Sequence, residues 1–324
     1  MRTGYASPLL SLALVTLLPV VSANYLLKDT YIGKDFFSGF DWEAADDPTH
    51  GRVNYVDKDT AINKNLSQAT DSKFYMRADS TNIVDPSARG RDSVRIASHR
   101  AYDESVIVLD VQHMPEGCSA WPAFWTLSQQ GPWPQGGEID IIEGVNLDAQ
   151  NLVSLHTTPS CIMPQQRFQS GQTISTNCDA SVNFNQGCGT RSPTVRSYSS
   201  VFNRNGGGWY VMARSADQGI RVWFWARDDW NVPEAVRSSW QTMSPDPTWG
   251  TPDAAFPTGD NCDYKSHFNA HMIVFDLTFC GDWAGADFPT SGCGGDCVSF
   301  VDNTPEAFED AYWEINALRV YTPS

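Results

Sequence analysis

The chain has 324 residues and is strongly acidic, with 38 aspartates and glutamates against 22 lysines and arginines and a formal net charge of −16. This charge repels nucleic acid and anionic membrane surfaces, so neither is an expected partner. A neutral polymer remains compatible with it.

The N-terminal segment has the three parts of a secretory signal peptide. Arg2 gives it a basic start, residues 9–21 form an apolar run, and Val21-Ser22-Ala23 offers small residues for cleavage. We predict that residues 1–23 are removed and that residues 24–324 are secreted as a single domain, because no linker divides them. No later segment has the composition of a membrane helix. The mature protein is expected to be extracellular and monomeric.

Most of the chain has the pattern of β-strands. Runs of β-branched residues bounded by polar turns occur at Ser105–Val111 and Asn151–His156, and apolar residues alternate along His271–Phe279. One short helix is predicted from a Thr304 cap to about Tyr312. Many short strands separated by turn residues predict an all-β fold of two packed antiparallel sheets.

Eight cysteines are an even number, which in an exported chain favours disulfides over metal binding. The spacing does not determine the pairing, and we predict only Cys293 with Cys297, because Gly294-Gly295-Asp296 can turn tightly between them. A zinc site would need a second C-x-x-C or a nearby pair of histidines, so the cysteines predict no metal site. Asn65-Leu66-Ser67 is a plausible N-glycosylation sequon.

The octet GEIDIIEG places three carboxylates within six residues of β-branched chain. The isoleucines indicate a strand. Alternate side chains of a strand share a face, so Glu138 and Asp140 should point together while Glu143 points away. A β-bulge at Ile141 or Ile142 would return Glu143 to the same face, and bulges are common beside active sites. The octet therefore predicts a bulged strand that presents three acids on one face.

Two converging carboxyl groups are what glycoside hydrolysis needs. The alternative explanations are a calcium site or a solvated acidic edge strand. Tryptophans support the first interpretation, because an indole ring can stack on the apolar face of a sugar. Trp125 and Trp133 shortly precede Glu138 and are the best candidates, whereas Trp223 and Trp225 are expected to pack against a sheet.

The motifs GEIDIIEG, WPAFWTL, LHTT and FDLTFCGDWAG together resemble glycoside hydrolase family 16, and within it the fungal laminarinase-like endo-1,3(4)-beta-glucanases. The resemblance covers nearly the whole mature chain. It implies a concanavalin A-like β-jelly-roll sandwich with an open, concave glucan-binding groove. It also implies endo cleavage of a β-glucan polysaccharide with retention of configuration, and no cofactor.

The resemblance assigns roles to seven residues. Glu138 matches the nucleophile, Glu143 the general acid/base, and Asp140 the residue that tunes the nucleophile. The substrate-binding positions that match are Trp125, Trp133, His156 and Trp283. A lone strand histidine is otherwise more often a satisfied core residue. A retaining mechanism places its carboxyls about 5–5.5 Å apart, whereas five strand residues extend roughly 16 Å, so the two arms must lean inward.

Two other functions remain open at this stage. A lectin-like module could use the same sandwich without turnover, and a cell-wall transglycosylase would pass the sugar to another sugar. The extra residue in EIDIIE, relative to the shorter E-x-D-x-E form, is similar to β-1,3-cleaving and mixed-linkage members. Arg95 could also face the groove, but its register does not follow from the sequence.

Overall fold

The computed structural model describes Met1, residues 24–245 and residues 247–324, so the rest of the predicted signal peptide lies outside the described residues. The described part contains nineteen strands, labelled β1 to β19 in chain order. They are Tyr25–Tyr31, Phe40–Trp42, Val53–Tyr55, Ser67–Ala69, Phe74–Arg77, Arg91–Ser93, Arg95–Tyr102, Ser105–His113, Ala120–Ser128, Glu138–Glu143, Leu152–His156, Gln172–Thr173, Cys188–Arg191, Gly208–Ser215, Gly219–Ala226, Thr242–Met243, Ala254–Phe256, His271–Phe279 and Tyr312–Pro323.

The helices of the described residues are all short. The α-helices α1 to α6 are Asp35–Gly39, Lys58–Asn63, Ser199–Arg204, Glu234–Arg237, Tyr264–His267 and Cys297–Asn303. Single 3₁₀ or π turns occupy Asn183–Asn185, Val195–Ser197, Pro247–Trp249, Gly281–Gly285, Phe288–Thr290 and Pro305–Phe308. None of the helices in this part of the chain combines the length and apolar composition of a membrane-spanning segment.

The helix predicted from Thr304 to about Tyr312 is wrong in extent. Pro305–Phe308 forms only a 3₁₀ turn, and Tyr312 already begins β19. The proline does start this turn, as its fixed φ favours. The following residues extend instead because Tyr312 to Ile315 pair with β5 in a sheet.

Two antiparallel sheets form the body of the protein, as the sequence predicted. The front sheet has eight strands in the order β12-β13-β11-β10-β9-β18-β7-β2. The back sheet has nine, in the order β16-β1-β19-β8-β14-β15-β17, with β5 attached to β19 and β4 attached to β5. A separate parallel pair joins β3 to β6.

The main core lies between the two sheets. Ile139 and Phe275 of the front sheet and Leu109 and Met212 of the back sheet belong to one buried cluster. Each such side chain contributes roughly 1.5–3 kcal/mol by leaving water. One face of the front sheet packs against this core. The side chains that alternate along each strand with the core-facing ones therefore point to the opposite, free face.

The far face of the back sheet is covered by a second cluster. Trp223 and Trp225, which the sequence assigned to sheet packing, are buried there against Trp249. The tryptophans of this face are therefore not available to a ligand, and the free face of the front sheet is the one that can hold a site.

Four disulfides join all eight cysteines, and the predicted Cys293–Cys297 bridge is wrong. Cys293 bonds to Cys118 and Cys297 bonds to Cys280, with Cα atoms 5.6 and 5.9 Å apart. The physical reason is that Cys118 and Cys280 flank the paired ends of β9 and β18, where Ala120 lies opposite Phe279, and the segment that carries Cys293 and Cys297 packs into the same apolar cluster. The remaining bridges are Cys161–Cys262 and Cys178–Cys188.

Candidate active site

The predicted bulge is present in β10. Asp140 lies opposite Trp125 on β9, but Ile142 lies opposite the next residue, Phe124, so Ile141 is the extra residue. Ile141 and Ile142 are both fully buried in the main core. The bulge therefore lets two consecutive residues, Ile141 and Ile142, both point into the core. The acids remain on the opposite face, as the octet predicted.

The register of the neighbouring strand shows which face the acids take. Asp140 is opposite Trp125 and Glu143 is opposite Ala123. Trp125 and Ala123 belong to a small apolar cluster with Val274 that is separate from the main core. Cross-strand partners share a face, so Asp140 and Glu143 lie on the free face of the front sheet.

Glu138 begins β10 and is held by a tryptophan. Nε1 of Trp133 donates a hydrogen bond of 2.9 Å to Oε2 of Glu138. The preceding Gly137 has a φ of +83°, and a Cβ there would lie 2.5 Å from the ring of Phe268, so only glycine fits. Burial and the charge of Asp140 raise the pKa of Glu138 to about 8, while the Trp133 hydrogen bond opposes the rise.

Glu143 ends the same strand and has its own indole donor. Nε1 of Trp121 lies 2.9 Å from Oε1 of Glu143. Burial raises the pKa of Glu143 well above its ordinary value, the charge of Asp140 adds to the rise, and the Trp121 hydrogen bond works against it.

Asp140 and His156 form a buried pair next to Glu138. Nε2 of His156 lies 3.4 Å from Oδ2 of Asp140, and Nδ1 lies 2.7 Å from Oδ1 of Asn185. Burial alone would lower the pKa of His156, but Asp140 and the two glutamates outweigh it and raise the pKa to about 10. His156 is therefore a cation at neutral pH, and it sits opposite Glu138 across β10 and β11.

Among the described residues, Glu138, Asp140 and His156 offer ligand atoms that lie within 4.8 Å of one another, close enough to share a metal ion. As the structure stands, His156 pairs with Asp140 and Trp133 donates to Glu138. A metal ion at this position would have to displace the proton of His156.

The three predicted stacking tryptophans occupy different settings. Trp133 is 45 % exposed, whereas Trp125 is 9 % exposed. Trp125 donates to Oδ2 of Asp276 over 3.3 Å, so it forms the floor of the face. Trp283 is partly buried and meets Trp121 edge to face, with ring centroids 5.7 Å apart. The structure thus links Trp133 to Glu138, and Trp283 through Trp121 to Glu143.

Several residues of this face were missed or left open by the sequence. Arg95 stacks over Trp125, with its guanidinium carbon 5.0 Å from the ring centroid, and pairs with Asp276 over 3.4 Å. Burial raises the pKa of Asp276 to about 7 although Arg95 opposes it. Trp121 could have been found, because it alternates with Ala123 and Trp125 in WPAFWTL. Asn185 carried no signal.

Residues 40–321 match the XgeA-like, catalytic GH16 domain. The chain therefore belongs to glycoside hydrolase family 16, and the all-β jelly-roll class expected from the resemblance is confirmed.

Two curated relatives are similar over most of this chain. The probable glycosidase of Schizosaccharomyces pombe is 43 % identical over 303 residues, covering 92 % of this chain and 69 % of its own. The endo-1,3(4)-beta-glucanase of Arthroderma benhamiae is 39 % identical over 310 residues, covering 93 % of this chain. Of that relative's own length, this chain spans 65 %.

Two solved structures are matched over their whole length. GH16 Laminarinase 16A from Phanerochaete chrysosporium, solved with 6-O-glucosyl-laminaritriose in both donor and acceptor sites, is 50 % identical with a TM-score of 0.90. The match covers 93 % of this chain and all of the other. An elongating GH family 16 beta-1,3-glucosyltransferase is 40 % identical with a TM-score of 0.84, over 92 % and 100 % of the two chains.

Proposed function

We propose that this protein is a secreted, retaining endo-β-glucanase. It hydrolyses internal β-1,3 bonds of laminarin-type glucans and β-1,4 bonds of mixed-linkage glucans. One observation carries the proposal: Glu138 and Glu143 lie on the same open face and each accepts a hydrogen bond from an indole N–H. The laminarinase and glucanase relatives support the choice of substrate.

In the first step, Glu138 attacks the anomeric carbon and Glu143 protonates the leaving oxygen. This step requires an ionised Glu138 and a protonated Glu143. The pKa of Glu143 is raised well above its usual range by burial, and that of Glu138 to about 8. The productive pair therefore exists in the pH range in which Glu138 has lost its proton and Glu143 still holds its own.

In the second step, Glu143 is a carboxylate and takes a proton from water as the water attacks the glycosyl ester on Glu138. The ester bond breaks and Glu138 leaves as an anion. The N–H of Trp133 and the imidazolium of His156 both favour that anion. Two displacements at the same carbon restore the original anomeric configuration.

Asp140 lies between the two acids in sequence and does not react. Its charge raises the pKa of both glutamates and, together with its contact to His156, the pKa of that histidine. We assign Asp140 the role of keeping Glu143 protonated and His156 cationic. Trp125, Trp133, Trp283 and His156 are proposed to contact the glucan.

Digestion of laminarin, lichenan and cellulose side by side, with product sizing, tests the substrate and the endo mode. Short oligosaccharides from laminarin and lichenan, with cellulose untouched, are expected. Proton NMR of the first products should show the β-anomer, because retention follows from two displacements. Products of inverted configuration, or binding of laminarin without turnover, would refute the proposal.

Secretion is a further part of the proposal, supported by the four disulfides and the predicted signal peptide. Expression in a secreting host should release the protein into the medium with Asn24 as its first residue. N-terminal sequencing measures this directly, and retention of Arg2 in the released protein would contradict it.

Glucan transglycosylation is a second candidate function, and the similarity to the elongating glucosyltransferase favours it. The covalent intermediate would be the same, but a sugar hydroxyl would replace water in the second step. Incubation with laminarihexaose separates the two functions, because only transfer produces chains longer than the substrate.

A further inference from the structure

The side chain of Asn151 spans the bulge of β10. Its Oδ1 accepts the backbone N–H of Glu143 over 2.9 Å, and its Nδ2 donates to the carbonyl of Ile141 over 2.8 Å. Asn151 is only 1 % exposed, so these bonds are shielded from water. One amide thus fixes the backbone on both sides of Ile142, directly before the acid that the mechanism needs.

The Asn151 amide replaces the backbone hydrogen bonds between β10 and β11 where the bulge interrupts them. β10 pairs with β11 through Glu138, Ile139 and Asp140, and no further. Beyond Asp140, the carbonyl of Ile141 and the N–H of Glu143 would lack partners on that side. A buried backbone group without a partner destabilises the fold. A primary amide supplies both a donor and an acceptor from one carbon, which a hydroxyl or a carboxylate cannot do as well.

Asn151 is itself held in place from two sides. Its backbone N–H donates to Oγ of Ser197 over 3.0 Å, and its carbonyl accepts the N–H of Ser192 over 2.8 Å. The side-chain amide of Asn151 therefore has little freedom to move with β10 if that strand shifts. It defines the position of Glu143 instead of adapting to it.

We propose that Asn151 is a positioning residue for Glu143. It does not touch substrate, but it fixes the backbone from which the Glu143 carboxyl reaches Trp121 and the leaving oxygen. This inference rests on the proposed function, because it assumes that Glu143 is the general acid. It adds a specific consequence: loss of Asn151 should impair proton donation and spare nucleophilic attack.

Two substrates distinguish those steps. Hydrolysis of laminarin needs a proton on the leaving sugar oxygen, whereas 2,4-dinitrophenyl β-laminaribioside releases a phenolate that needs none. The ratio kcat/KM reports the steps through formation of the glycosyl ester, so it isolates acid catalysis from the later use of Glu143 as a base. General acid catalysis typically increases the rate about 10²–10⁴-fold. Misplacement of the acid should therefore lose part of this rate enhancement.

For Asn151→Ala we expect kcat/KM on laminarin to fall about 10- to 100-fold, a fraction of the full effect of acid catalysis. On the dinitrophenyl substrate it should change by less than about threefold, because that step needs no acid. Equal loss on both substrates, or no loss on either, would overturn the positioning role. Asn151→Asp has the same size and keeps the acceptor for the Glu143 N–H. It should show the same selective loss and serves if the alanine variant does not fold.

Asn203 offers a matched control. Its side chain also bridges two backbone groups, accepting from the N–H of Met114 over 3.0 Å and donating to the Met114 carbonyl over 2.9 Å. Asn203→Ala should lower stability but leave the ratio of the two kcat/KM values unchanged. If the wild-type protein turned over neither substrate, the proposed function would fail. If it turned over both and Asn151→Ala kept their ratio, only the positioning role would fail.

Discussion

Nε1 of Trp133 lies 2.9 Å from Oε2 of Glu138, so an aromatic residue on the free face of the front sheet also stabilises the charge of the proposed nucleophile. Trp133 is 45 % exposed and can stack on sugar with the remainder of its ring. Its electrostatic and stacking roles can be separated, because phenylalanine keeps an aromatic face and lacks the N–H.

Trp133→Phe should raise the pKa of Glu138 above its value of about 8, because the lost hydrogen bond favoured the charged form. The acidic limb of the kcat/KM profile should then move to higher pH by roughly half a unit to one unit. Trp230 is 86 % exposed and supplies the control Trp230→Phe, which should leave the limb in place. An acidic limb that does not move in Trp133→Phe would mean that this hydrogen bond does not tune the nucleophile.

Trp121→Phe should shift the alkaline limb of the pH profile of kcat/KM. The Trp121 N–H favours the charged form of Glu143, so its loss raises the pKa of this proposed general acid further. Glu143 would stay protonated to higher pH, and the alkaline limb should move upward by roughly half a unit or more. A shift of the acidic limb instead would indicate that the roles of the two glutamates are reversed.

Glu138→Gln and Glu143→Gln should each remove hydrolysis of laminarin, by about 10³-fold or more, because neither amide can attack or transfer a proton. Both variants should keep the wild-type circular dichroism spectrum, since the two side chains point away from the main core. Reducing-sugar release is the measurement. Near wild-type rates in either variant would contradict the assigned chemistry.

Glu138→Gln should also stabilise the fold above pH 5. The pKa of Glu138 is raised to about 8 from an ordinary value of 4.5, so the folded state holds this proton more tightly than the unfolded state. The contribution of this group to stability is greatest below pH 4.5 and is lost as pH rises from 4.5 to about 8.

An uncharged glutamine avoids that loss, and we expect a gain of about 1–3 kcal/mol in the free energy of unfolding at pH 8, after allowance for partial solvent screening. Urea unfolding at pH 4 and pH 8 measures it, and the gain should vanish at pH 4. The exposed Glu309 supplies the control Glu309→Gln. An equal change at both pH values would show that packing, not ionisation, is responsible.

Local sequence predicted the features that depend on neighbouring residues. Three acids among isoleucines required a bulge, and Ile141 provides it. The sequence singled out Trp133 because it shortly precedes Glu138, but it did not predict that the indole N–H donates to that carboxylate. Alternation along β18 predicted the buried row that includes Phe275 and Leu277.

Features that join distant segments could not be predicted in the same way. Arg95 meets Asp276 across 181 positions of sequence, and Cys118 meets Cys293 across 175. These contacts depend on the order of strands in the front sheet, which no local pattern encodes. The short helix was overextended because β5 offered Tyr312 and its successors a pairing partner that the local sequence does not show.

Ile141 is a single inserted residue, which affects how a gene of this kind can diverge. Loss of its codon would leave Glu-Ile-Asp-Ile-Glu, in which the acids occupy alternate positions of an unkinked strand and still share one side. An in-frame deletion or duplication of one codon could therefore change the length of the motif, and at no stage would the acids lie on opposite faces of the strand. A single mutational event can therefore convert a motif of one length into a motif of the other.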